Sequence, residues 1–312
     1  MHLSDSMITG TDCGQAWLSA VQTVLRVPGR KALHLVVRIT HPDREDPRIR
    51  HVVDDLLRRR GLQPVDTVVN TLFPRHLARL AADPAELAAR YRTHYPRLRK
   101  LHRANGRGTY FGRLVAHPAD GREVDQLARI VARLRSHARK PGAAPLYEAG
   151  FMLMDDDPEQ PGHSAHIDPG TMDAASSDEP VDATSDTRPA TTSETADPAS
   201  AADGAAVAMI DTPIYAPRTD AMPLGFPCLS HVSFQAVGNT VHALAQYRSQ
   251  YLVERGYGNY LSLGLLLRYV ADAAGLQVGA LTVTTGLAAV DGGVRQLTTA
   301  LQSLTQQRLP GL

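Results

Sequence analysis

Residues 155–204 cannot contribute to a hydrophobic core, so any fold of this 312-residue chain has to be assembled from what flanks them. The stretch is built from Asp, Ser, Thr, Ala and Pro, with almost no large apolar side chain. Ordering a residue costs about 1–2 kcal/mol of backbone entropy, and burial of apolar surface is what chiefly offsets it. A segment without such surface is expected to be disordered. It also holds 13 Asp and Glu against one basic residue, Arg188. The net charge of +1 therefore conceals a segment at −12 and a remainder at +13, with 32 basic and 19 acidic residues. A basic body suits phosphorylated ligands or nucleic acid, and the acidic segment either shields it or serves solubility.

On either side the chain is patterned. Apolar residues recur at helical spacing over 17–27, 48–60, 84–98 and 125–137, and a long apolar helix is expected over 260–274. Runs rich in β-branched residues predict strands over 32–39, 65–72, 146–154, 207–215, 229–237, 241–246 and 281–285, with Gly238-Asn239 as a turn. Several strands and a few long helices, not in strict alternation, argue an α+β architecture. By length the chain could hold two average domains or one large one.

Other function classes are constrained by what is missing. No apolar run reaches the roughly 20 residues that a bilayer span requires, since the longest, around 261–270, contains Arg268. Residues 1–11 lack a basic start followed by an apolar run, so no secretory leader is expected. Two cysteines, Cys13 and Cys228, make no disulfide framework or metal cluster. His163 and His166 form no convincing metal-ligand pair, and no metal is expected. The plain reading is a reduced, cytoplasmic protein without a membrane partner.

Chemistry concentrates late in the chain. Cys228 follows Phe226-Pro227, Arg248-Ser249 begins twenty residues on, and Asn259 lies eleven beyond Arg248. A thiolate is a soft nucleophile, and a nearby guanidinium raises its population. Arg248 and Ser249 together could hold a phosphate, and the Asn amide could read a ring presenting both N–H and C=O. Each residue has a plainer alternative: a buried apolar Cys, an Arg in a surface ion pair, an Asn in a turn. Tyr110, in Asn105-Gly106-Arg107-Gly108-Thr109-Tyr110, could orient the nucleophile, within a loop that matches no nucleotide-binding fingerprint.

The spacing from Pro227 to Asn259 resembles the active-site half of thymidylate synthases. There a Pro-Cys nucleophile is followed at the same distances by Gln-Arg-Ser and a pyrimidine-reading Asn. The segments 120–127, 275–279 and Tyr110-Phe111-Gly112 add to the likeness, which covers 105–140 loosely and 223–292 closely. The resemblance implies a thymidylate-synthase-like sheet with flanking helices, interrupted by a disordered acidic insertion. Residues 1–154 and 205–312 would be the N- and C-terminal halves of one domain, with 155–204 a loop insertion between them. It further implies a homodimer in which a partner arginine, with Arg139 as candidate, completes the phosphate site. Catalysis would fall to Cys228, and binding of a pyrimidine nucleotide to Arg248, Ser249, Asn259 and Tyr110.

Other family features are replaced. Tyr251 stands where the family anchors the pterin with Asp; Ala289 and Asp291 stand at its sugar-binding His-x-Tyr. Leu98 and Leu101 fall near its folate-site tryptophans, Asn70 is the nearest polar residue to its proton-transfer Glu, and Tyr247 replaces the Gln before Arg-Ser. An amide cannot take over proton transfer, because its pKa lies far from the working pH. The expectation is a divergent pyrimidine nucleotide C5 one-carbon transferase, methylating or hydroxymethylating. Its donor would be of the methylenetetrahydrofolate type, with the usual folate contacts missing. The alternative is an inactive dimer of the same fold that binds nucleotides or nucleic acid, of which nucleic acid is the less favoured.

Overall fold

The computed structural model describes residues 7–101, 103–119, 122–139, 207–216, 220 and 226–306. The stretch 155–204 and the strand expected over 146–154 lie outside them. The elements run β1 (Ile8–Gly10), α1 (Cys13–Leu25), β2 (Lys31–Ile39), α2 (Pro47–Arg59), α3 (Val65–Leu72), α4 (Arg75–Leu80), α5 (Pro84–Leu101) and α6 (Tyr110–Val115). The hairpin β3 (His117–Ala119) and β4 (Arg122–Val124) and the helix α7 (Gln126–Arg139) follow. Then come β5 (Val207–Pro213), β6 (Leu229–Val237), β7 (Thr240–Tyr251), a π-helical turn (Leu252–Gly256), α8 (Tyr257–Ala274), β8 (Gln277–Ala289) and α9 (Val294–Gln306).

Six strands form one mixed sheet in the order β1-β2-β8-β7-β6-β5. β1 runs parallel to β2 and β7 parallel to β8, and the other pairs are antiparallel. Strands from both sides of the acidic stretch thus share one sheet, and the fold is α+β as expected. The helices α1, α7 and α8 pack against it. The only tryptophan, Trp17, lies in that layer: fully buried, edge-on to Tyr257, its indole N–H donating to the Leu252 carbonyl at 2.7 Å.

One sequence expectation is corrected. The segment 65–72 is the helix α3, not a strand. Val65, Val68, Val69 and Leu72 are its buried residues, which is the i, i+3, i+4, i+7 stripe of a helix. β-Branched composition suggested a strand, but the period decides which face can be buried. The helix packs on α8 so closely that a Cβ at Gly258 would come within 2.6 Å of Val68.

At one end of the sheet the alternation slips in three neighbouring strands at the same level. In β7 Tyr247 and Gln250 are buried while Arg248 and Ser249 between them are not. The same holds for Gly286 and Leu287 between Thr285 and Ala288 in β8, and for Leu33 and His34 between Ala32 and Leu35 in β2. Pairing runs through this level without a register shift, with Tyr247 opposite Thr285 opposite Leu35, and Ser249 opposite Leu287 opposite Leu33. Two successive residues off the buried face are incompatible with a regular pleat, in which neighbours point to opposite faces. His34 marks the slip with φ of 53°. Gly286 marks it by contact, because a Cβ there would lie 2.8 Å from the Arg248 carbonyl oxygen.

Gly286→Ala is therefore expected to cost about 1–3 kcal/mol, the usual range for overpacking against atoms that cannot move aside. Thermal unfolding would register this as a lower Tm; an unchanged Tm would show that the three strands do not need that approach.

Candidate active site around Cys228

Cys228 lies just before β6, after a cis Phe226–Pro227 bond, and is partly exposed. Its carbonyl accepts the Arg248 backbone N–H at 2.8 Å, which places it beside the slipped level of β7. Both side chains of the Arg248-Ser249 pair converge there. The Ser249 hydroxyl approaches the Cys228 sulfur at 3.8 Å, and the Arg248 Nε and Nη2 donate to the Pro227 carbonyl at 3.1 and 2.6 Å. In a regular strand these neighbours would point apart; the slip turns them to one side. The Arg248 guanidinium also sits 5.4 Å from the centre of the Tyr215 ring, a cation–π distance.

A short helix holds the approach to the thiol. Thr109 caps α6 by accepting the Gly112 N–H at 3.0 Å, and Gly112 leaves room for the Tyr95 ring, which a Cβ would strike. Tyr110 and Arg113, three apart on one helical face, both grip Phe226. The Tyr110 ring lies 5.0 Å from it and the Arg113 guanidinium 5.7 Å. The backbone N–H groups of Leu229 and Cys228 point to the Tyr110 hydroxyl, whose pKa is raised chiefly by burial. Arg113 in turn donates to Asp220 at 2.7 Å, both side chains being buried, and Asp220 accepts the Ala216 N–H at 2.7 Å. Removing one member of such a buried pair costs about 3–5 kcal/mol, whereas solvent screens an exposed pair such as Arg90–Glu86.

Cys228, Arg248, Ser249 and Tyr110 are thus brought together. Asn259 is placed differently: it is buried in the first turn of α8, and its carbonyl accepts the Ser262 hydroxyl at 3.0 Å. Among the described residues, no hydrogen bond joins its side chain to the other four. Arg139 ends α7, and its side chain lies outside the described residues. Asn70 is exposed on α3, Leu98 packs at the edge of the core, and Tyr251 is 58% exposed. Asp291 serves the backbone, accepting the N–H groups of Val253 and Glu254 at 3.0 and 3.4 Å, with Arg60 at 3.8 Å. It ties the π-helical turn to the end of β8.

Sequence reasoning missed Arg113, Asp220 and Phe226 as supports of the thiol. The Tyr110–Arg113 spacing was readable, but the Asp220 partner is 107 residues away and nothing local announces it. No protein-family model matches the chain, and no curated protein matches it in sequence. Among the described residues no group of three or more His, Cys, Asp or Glu could hold a metal ion, and no helix is long and apolar enough to cross a membrane.

The Asp291 pKa is raised, because burial outweighs its backbone hydrogen bonds and Arg60. A carboxyl whose folded pKa exceeds its unfolded value favours folding at low pH, and that contribution is lost as pH rises through the folded pKa. Asp291→Asn keeps an acceptor and has no charge to bury. Relative to wild type it is expected to gain stability as pH rises through the acid range. Asp291→Ala leaves two N–H groups unpaired and is expected to cost about 1–3 kcal/mol at pH 7. Urea unfolding of both variants at pH 4 and pH 7 checks the two signs.

Proposed function

We propose that the protein is a pyrimidine nucleotide C5 one-carbon transferase in which Cys228 is the covalent nucleophile. The observation that carries this reading is the convergence of the Cys228 thiol, just before β6, with the Ser249 hydroxyl and the Arg248 guanidinium from the slipped level of β7. The Cys228 thiolate adds to C6 of the ring, and the electron pair displaced from the C5–C6 bond makes C5 nucleophilic. C5 attacks the one-carbon unit of the donor; loss of the C5 proton to solvent expels the donor's carrier and leaves an exocyclic methylene, and addition of water (hydroxymethylation) or of a hydride from the reduced carrier (methylation) restores the C5–C6 double bond and expels the thiolate. Ser249 and Arg248 bind the phosphate, with Arg248 held in place by Pro227. Tyr110 orients the backbone of the nucleophile, and Asn259 selects the base.

Three further parts belong to the same reading. The one-carbon donor is a methylenetetrahydrofolate-type molecule or another electrophile bound without a pterin-anchoring carboxylate, since Tyr251 offers none. The protein works as a homodimer, supported by a sheet face on which Leu244 of β7 and Met209 of β5 are exposed. It acts in the cytoplasm, in keeping with two free cysteines. A second reading, a nucleotide-binding dimer without turnover, is favoured by the exposure of Asn70 and by the backbone role of Asp291.

Mass spectrometry after incubation with 5-fluorinated uridine and cytidine nucleotides, with and without methylenetetrahydrofolate, separates the two. The expected outcome is a covalent adduct on the wild-type protein that disappears in Cys228→Ala. No adduct under any of these conditions would overturn the enzyme reading and leave the binding module.

A further inference from the structure

Gly279 and Ala280 of β8 stand against the single residue His242 of β7, and none of the three is paired between the two strands. Pairing stops at Val241 opposite Val278 and resumes at Ala243 opposite Leu281, so β8 carries one extra residue, a β-bulge. A bulge takes a backbone N–H out of the ladder, and a buried N–H then needs another acceptor. Ala280 is buried, and its N–H donates at 2.9 Å to Nδ1 of the His242 ring. Gly279 leaves the space for that ring, because a Cβ there would lie 2.5 Å from Nδ1.

A ring nitrogen that accepts an N–H cannot itself carry a proton. His242 is therefore neutral in the sheet, with its proton on Nε2. A proton on Nδ1 would turn the acceptor into a donor facing the Ala280 N–H, and the bond would be lost. Burial first, and then the charge of Arg38 on β2, hold the His242 pKa below its ordinary value of 6.5. β8 has no ionisable side chain, and β6 presents the neutral Gln235 opposite His242. The other charged or titratable groups of the neighbouring strands stand farther along: the His231–Asp211 pair of β6 and β5, and Lys31 and His34 at the opposite end of β2.

We propose that His242 is an acid-sensitive clasp between β7 and β8. Neutral, it closes the bulge by accepting the Ala280 N–H; protonated, it releases that amide and loosens the pairing at this level. The clasp joins the two strands that farther on carry Arg248, Ser249 and Gly286, and it needs no assumption about the chemistry of Cys228. A group that binds its proton less readily in the folded chain contributes its full stability above the ordinary pKa. That contribution is lost as pH falls below 6.5 toward the folded pKa.

NMR on the full chain, following hydrogen exchange of the Ala280 amide and the His242 ring nitrogen shifts together across pH, tests this. At neutral pH the ring should be the Nε2–H tautomer and the amide should be protected. As the ring becomes charged, the Ala280 protection factor, corrected for intrinsic exchange, should fall about threefold to tenfold, the equivalent of one hydrogen bond. His242→Asn offers an amide oxygen near the place of Nδ1 that does not titrate, and should keep Ala280 protected over the same range. An Nδ1–H tautomer at neutral pH, or Ala280 protection that stays constant while the ring charges, would overturn the clasp. Both are read on the wild type, so they decide even if the variant fails to fold. The same pH profile of Ala280 protection in His242→Asn as in wild type would overturn it as well.

Discussion

The contact of Gly286 with the Arg248 carbonyl is the constraint on which the rest of the site depends. Neighbouring strands lie about 4.8 Å apart, and at this level there is no room for a Cβ between them. That approach accompanies a slip in alternation shared by β2, β7 and β8, which keeps the pairing register while breaking the two-residue period. Consecutive residues Arg248 and Ser249 then face the same thiol, and the buried face resumes at Gln250. Without the slip a cation and a hydroxyl adjacent in sequence would lie on opposite faces of the sheet.

The thiol is held from the other side by interactions of unequal weight. The surface carries many ion pairs, such as Arg48–Asp46 and Arg58–Asp55, that water and salt screen to little effect. Arg113–Asp220 is different because both side chains are buried, so loss of either leaves a charge without a partner or solvent. It joins α6 to the stretch before β6, and Tyr110 and Phe226 add aromatic packing at the same place. The arrangement resembles a bracket: β7 presents Arg248 and Ser249, α6 presents Tyr110, and the Cys228 backbone is bonded to both.

The fold was legible in most elements that bury one face over a long pattern, although α9, with its buried Leu297, Leu301 and Leu304, escaped notice. The stripe Leu127, Ile130, Val131 and Leu134 of α7 reads directly as a helix, and β6 and α8 lie close to their expected bounds. The segment 65–72 was misread because valine-rich composition was weighed above its spacing. The short helices α4 and α6 and the strand β1 escaped notice, since three to six residues carry too little periodicity to separate from a loop. Of the site, Cys228, Arg248, Ser249 and Tyr110 were named in advance. Asn259 was named too, although its side chain has no hydrogen bond to them.

By itself the sequence determined which stretches could be core, since apolar content and period govern what can leave water. It also determined which residue types near Cys228 could attack, bind an anion or read a ring, because those are properties of side chains. Only the tertiary structure decided that Arg248 and Ser249 share a side, that Arg113 closes on Asp220, and that Asp291 holds a turn. It also decided that the Tyr247 and Tyr260 hydroxyls are buried with no hydrogen-bond partner among the described residues. Each of these depends on contacts between strands or helices far apart in the chain, whose approach is set by packing and by a glycine that leaves the space for it.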